Sequence, residues 1–225
     1  MNLKQNSMIY FENLNEFKDF YKSLGIHGGW KIQTGIMNER GEKIRDTAYV
    51  NHLQKLFMKK KLFRRNVSIA EIVSFLDGYE LLYRIVTELE KKISNEVFSE
   101  INIYLEYKIA YSKNRRVDFI FEYRDSLLLT EFRLSKDFPN QSGMWNKKEL
   151  ELLVYKELMS NYITNKRIFL FAFIGMPEYS KNIKIMKNLL YNETNIDFFV
   201  DYLITYLLQD LQRPDEFDIT RKGDL

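Results

Sequence analysis

Two runs of alternating character, RVDFIFEY from Arg116 to Tyr123 and SLLLTEFRL from Ser126 to Leu134, are separated only by Arg124-Asp125. A period of two marks strands with two distinct faces, and two such runs at this spacing fold back as a hairpin. The turn sets the register: Tyr123 pairs with Ser126, Asp118 lies opposite Glu131, and Arg116 lies opposite Arg133. Side chains alternate along a strand, so these four charged residues share one face. Val117, Phe119, Phe121, Leu128, Thr130 and Phe132 form the other, core-facing set. A slip of two residues keeps this division, whereas a slip of one destroys it.

Regular elements continue on both sides. Ser68 with Glu71 three residues on has capping-box spacing, and Ile72, Leu76, Tyr79, Leu82, Val86 and Leu89 form one apolar helical stripe to about residue 93. Residues 101–111 alternate as a strand before the hairpin. After it, Pro139, Asn140 and Gly143 mark a loop into a helix from about 146 to 162. Residues 167–174 are almost continuously apolar, as expected of a strand covered on both faces. Two helices, near 180–191 and 196–211, are expected to close the chain. Upstream, residues 10–24 have helical spacing and stop at Gly25, and residues 46–62 return to helical character. The expected fold is α/β (α+β): a central mixed sheet of about four strands flanked by helices. Residues 1–66 read as a mainly helical accessory region, and residues 67–225 as the core with its C-terminal helices.

Composition narrows the chemistry. The 225 residues include no cysteine and only two histidines, His27 and His52. Disulfides, thiolate metal sites and cysteine nucleophiles are excluded, and a zinc hydrolase or a serine–histidine triad has almost no material to draw on. Both histidines read as structural or exposed. No apolar run approaches the roughly 20 residues of a membrane helix, and the first residues lack a signal peptide's apolar stretch, so a cytoplasmic protein without a membrane partner is expected. The net charge of +3, from 34 basic and 31 acidic side chains, is too small to indicate a polyanionic partner by itself. Local clusters say more: Lys59, Lys60, Lys61, Arg64 and Arg65 form one, and Arg115 with Arg116 another. The first is a solvated helix end in its plain reading, and both are phosphate contacts in their functional one.

Two facing carboxylates repel, and a hard divalent cation such as Mg2+ or Mn2+ relieves that with oxygen ligands. An ordinary cross-strand charge ladder, worth about 0.2–1 kcal/mol per pair, is the structural alternative. The string VDFIFEY followed by LLLTEFR resembles the PD-(D/E)XK superfamily of restriction-endonuclease-like nucleases over roughly residues 68–175. That resemblance implies an αβββαβ core, with the metal-binding aspartate at Asp118 and the second carboxylate at Glu131. A further helix acid is implied at Glu80, with Glu71 and Glu88 as rivals. The family's Gln-x-x-x-Tyr pair is matched in part by Glu151 and Tyr155. Its lysine, two residues after the second carboxylate, is replaced by Arg133, which can stabilise charge on a phosphate but cannot serve as a base. Lys108, Lys136, Lys147 and Lys148 are candidates to supply the amine from elsewhere.

The expected function is therefore a metal-dependent phosphodiesterase, an endonuclease acting on DNA, with restriction or defence implied by the resemblance. Asp118, Glu131, Arg133 and Glu80 would form its site, and the two basic clusters would follow the backbone. The alternative is an inactive nuclease-fold protein that binds nucleic acid or serves as an assembly subunit. A homodimer or a partner protein in a larger complex fits either reading.

Overall fold

The computed structural model describes residues 3–25, 30, 32, 37–44, 47–58, 68–110, 112, 115–134, 142–175, 183–187, 190–194 and 196–208. The chain begins with α1 (Leu3–Asn6), β1 (Ile9–Phe11), α2 (Leu14–Ser23), α3 (Met37–Glu42) and α4 (Ala48–Met58). Next come α5 (Ile69–Glu90), α6 (Asn95–Glu100), β2 (Asn102–Lys108), β3 (Arg116–Tyr123) and β4 (Ser126–Leu134). It closes with α7 (Ser142–Ser160), β5 (Arg167–Gly175), β6 (Ile183–Lys187), β7 (Leu190–Thr194) and α8 (Ile196–Leu207). This is an α+β protein with a mixed sheet flanked by helices. Among the described residues no helix is long and apolar enough to cross a membrane.

The sheet runs β1-β2-β3-β4-β5-β6-β7. Every neighbouring pair is antiparallel except β4 and β5, which are parallel. A parallel pair needs a crossover, and α7 occupies that connection. Two expectations are corrected. Among the described residues the sheet has seven strands rather than about four, and the helix expected near 180–191 is replaced by β6 and β7. Short apolar runs fit either period, and here the strand pairing of Lys187 with Leu190 prevails. The N-terminal residues also contribute a strand, β1, which pairs with β2.

The helices cover the sheet in two layers. On one face Phe17 and Tyr21 of α2, Val50 and Leu53 of α4, the α5 stripe, and Phe199 and Leu203 of α8 pack on Ile103, Leu105, Phe119, Phe121 and Leu128. On the other, Leu152, Tyr155 and Met159 of α7 pack on Tyr104, Ile120, Leu127, Leu129 and Ala172. Helix α5 starts as its sequence implies. The Ser68 side chain accepts from the Glu71 amide, and the Glu71 carboxylate accepts from the Ser68 amide at 3.0 Å. Gly78 lets α5 lie close to the sheet, because a β-carbon there would meet Phe119 Cζ at 2.9 Å.

Candidate active site

The hairpin forms in the expected register, from Tyr123–Ser126 down to Phe119–Thr130. Arg124 takes φ 48°, the left-handed conformation that a two-residue turn of this kind requires. Beyond Thr130 the ladder stops. The Phe132 amide donates to the Asp118 carboxylate at 2.7 Å in place of a backbone acceptor on β3. β4 keeps its pairing with β5 as far as Leu134–Gly175, so it is β3 that it leaves. Asp118 and Glu131 flank the opening between the two strands.

A second irregularity lies directly across β3. Glu106 on β2 has φ 51°, which a non-glycine residue rarely adopts within a strand. Pairing passes from Leu105–Phe119 to Tyr107–Val117 without joining Glu106 to Asp118. Alternation is regular up to that point: Ile103, Leu105, Phe119 and Phe121 face the α5 layer, while Tyr104 and Ile120 face the α7 layer. Past it the pattern restarts one residue out of step, and Tyr107, Ile109 and Val117 all join the α7 layer. The single charged face inferred from strict alternation is thereby corrected. Val117 packs with Ile120 rather than with Phe119, and Arg116 turns toward α5. There Arg116 lies 3.4 Å from Glu71 and 3.4 Å from Glu106. Glu131 instead faces α7, where Lys148 donates to its Oε2 at 2.6 Å and pairs with Glu151 at 2.9 Å.

The cluster is strongly acidic and centred on two buried carboxylates, Glu106 and Glu131. Glu131 is 3% exposed, and burial, then the charge of Asp118, push its pKa up to about 8 against the pull of Lys148. Burial also raises Asp118, opposed by Lys148 and by the Phe132 amide. Glu106 is raised well above the usual carboxylate range by burial and then by Asp118. Glu71, Glu106, Asp118, Glu131 and Glu151 act on one another, and the described cations among them are Arg116 and Lys148. Acids in such excess around two buried carboxylates need protons or further cations. Glu131 Oε1 and the Tyr79 hydroxyl are buried with no hydrogen-bond partner among the described residues. Tyr79, fully enclosed on α5, interacts electrostatically with Glu106, Arg116 and Asp118.

This donor set suits a hard cation. No group of three histidine, aspartate or glutamate side chains forms a ready metal cage among the described residues. Mg2+, however, commonly takes one or two carboxylates and completes its shell with water and phosphate. Asp118 and the unsatisfied Oε1 of Glu131 would supply such a pair.

The remaining candidates fall into place around it. Glu80 stays outside: the Tyr21 hydroxyl and Arg84 Nε donate to its two oxygens, the latter at 2.7 Å. Its rival Glu71 enters the cluster through Arg116, while Glu88 pairs with Lys91 at 2.6 Å. Of the candidate lysines, Lys148 reaches a site carboxylate; Lys147 is exposed, and Lys136 lies outside the described residues. Tyr155 is buried within electrostatic reach of Glu131 and Glu151. Arg133 holds its place on β4, but its side chain lies outside the described residues, as do Lys59, Lys60, Lys61, Arg64, Arg65 and His27. Arg115 and His52 are exposed. Sequence reasoning missed Glu106 and Tyr79. A regular strand sends Glu106 to the α7 face, and Tyr79 reads as one more member of an apolar stripe.

A scan against protein-family models finds no match to this chain, and a search of curated proteins finds none either.

Proposed function

We propose that the protein is a divalent-metal-dependent phosphodiesterase, a nuclease acting on DNA. The observation that carries this reading is the Asp118–Glu131 pair on parting strands, with Glu131 Oε1 buried and unsatisfied and Lys148 at its other oxygen. Asp118 and Glu131 would hold Mg2+ or Mn2+. Once bound, the ion would polarise the phosphodiester and favour ionisation of the attacking water. Lys148 takes over from the lysine that Arg133 replaces. Glu131 and Asp118 hold its ammonium above the ordinary lysine pKa, which suits it to stabilising charge on the phosphate rather than removing a proton. Arg133 on β4 is proposed as a second phosphate contact. The basic run from Lys59 to Arg65 and the exposed Arg115 would follow the nucleic-acid backbone without reading its sequence. A role in restriction or defence, and a dimer that cuts both strands, extend the same reading.

The test is cleavage of supercoiled plasmid and single-stranded DNA with Mg2+ or Mn2+ and with chelator. Wild-type protein runs beside Asp118→Asn, Glu131→Gln, Lys148→Met and Arg133→Lys. Metal-dependent cleavage that falls to background in both carboxylate variants supports the nuclease. No cleavage by wild type or Arg133→Lys, with DNA binding retained, would replace it with a non-catalytic nucleic-acid-binding or assembly subunit. Cleavage that survives loss of both carboxylates would place the active site elsewhere.

A further inference from the structure

We propose that the Lys148 ammonium is the resident counter-ion of the Asp118–Glu131 pair, and that Glu131 exchanges it for the divalent cation while Glu151 retains the lysine. This rests on the metal-dependent reading above and specifies how its site is loaded. Lys148 is the described cation in contact with Glu131, at 2.6 Å. The contact is sheltered, with 15% of the lysine side chain and 3% of the glutamate side chain exposed, so solvent screens it little. Two neighbouring carboxylates, Glu131 buried and Asp118 half-buried, repel when both are ionised, and in the metal-free chain the Lys148 ammonium is the positive charge beside them. Arg116, the other described cation of the cluster, is engaged on the α5 side by Glu71 and Glu106.

A metal ion reaching the buried, unsatisfied Oε1 of Glu131 meets that ammonium at the same carboxylate. Like charges so close in a poorly screened site repel, so binding is weakened for as long as Lys148 stays on Glu131. Glu151 gives the lysine a second acceptor, already 2.9 Å away and one helical turn along α7. Moving from two carboxylates to one asks only for a change of side-chain rotamer. The lysine then stays at the edge of the site, beside the position of the reacting phosphate. Lys148 therefore has opposite effects on two measurable quantities: it supports phosphate chemistry and lowers metal affinity.

Mn2+ binding to the full chain without nucleic acid separates these effects, read from the electron paramagnetic resonance signal of free Mn2+. Lys148→Met should bind at least about tenfold more tightly than wild type. Lys148→Arg should stay near wild type because it keeps the charge, and Asp118→Asn should lose binding. If Lys148→Met binds no more tightly while Asp118→Asn still abolishes binding, the counter-ion role is overturned and the metal-centre reading stands. If neither wild type nor Lys148→Met binds Mn2+, both fall. Should Lys148→Met fail to fold, wild-type protein decides the matter through amine acylation at Lys148, quantified by mass spectrometry. Labelling several-fold faster with Mn2+ supports displacement, and an unchanged rate overturns it.

Discussion

Glu131 shows most directly what burial does to a single group in this protein. Its folded-state pKa of about 8 lies above the ordinary 4.5, so between these values the native state holds a proton that the unfolded chain releases. The native state binds more protons in that window, so the contribution of Glu131 is fully favourable below it and is lost as pH rises toward 8. In chelator, urea denaturation should show wild-type stability falling from pH about 5 to about 8, with a visibly flatter profile in Glu131→Gln. Equal slopes would show that Glu131 is ionised throughout. Asp118 allows a second prediction, because its carboxylate accepts the Phe132 amide. Asn keeps an acceptor oxygen there and Ala does not, so Asp118→Ala should be about 1–2 kcal/mol less stable than Asp118→Asn in chemical denaturation. The register from Tyr123–Ser126 to Phe119–Thr130 was legible because a two-residue turn leaves little choice, but the parting of the strands before Asp118 and Glu131 was not. Glu106 was not, since glutamate carries no preference for the left-handed backbone it adopts.

At the scale of elements, α5 joins the fold to the acidic cluster. Glu71 caps the helix with one carboxylate oxygen and lies 3.4 Å from Arg116 with the other. Ser68→Ala removes half of the capping box and should cost about 1 kcal/mol. Gly78→Ala drives a methyl group into Phe119 and should cost about 1–3 kcal/mol through overpacking, read in the same denaturation experiment. Both effects should be absent at an exposed site such as Ser74. The capping box, the α5 stripe and the hairpin were readable because each is a local pattern with one matching geometry. Residues 183–194 were not. Ile183, Met186 and Leu190 also fit one face of a helix, and only pairing with β5, distant in sequence, selects the strands.

For the whole molecule, the N-terminal residues share the core of the later ones. β1 extends the sheet, and Phe17 and Tyr21 are fully buried. Arg40 donates to both carboxylate oxygens of Asp77 on α5 at 2.7 Å, and Trp30 Nε1 donates to one of them at 3.0 Å. Arg40 is 7% and Asp77 1% exposed. Arg40→Met would therefore leave a buried carboxylate without its main partner and should cost about 3–5 kcal/mol, with part recovered in Arg40→Met/Asp77→Leu. No local pattern announces this pair, since the two residues are brought together only by the packing of α3 on α5. The strand order of the sheet has a consequence for synthesis. Strands lie side by side in the order in which they are made, so the β2–β4 meander leaves the ribosome complete before α7 exists. In that nascent meander Asp118 and Glu131 still face water, while Ile120, Leu127 and Leu129 await the cover that α7 supplies. The arrival of one helix thus buries the apolar layer and delivers Lys148, which pairs with Glu131. A chain that stops short of α7 would present a sticky sheet and an uncompensated charge at once, a combination that exposes it to aggregation and proteolysis.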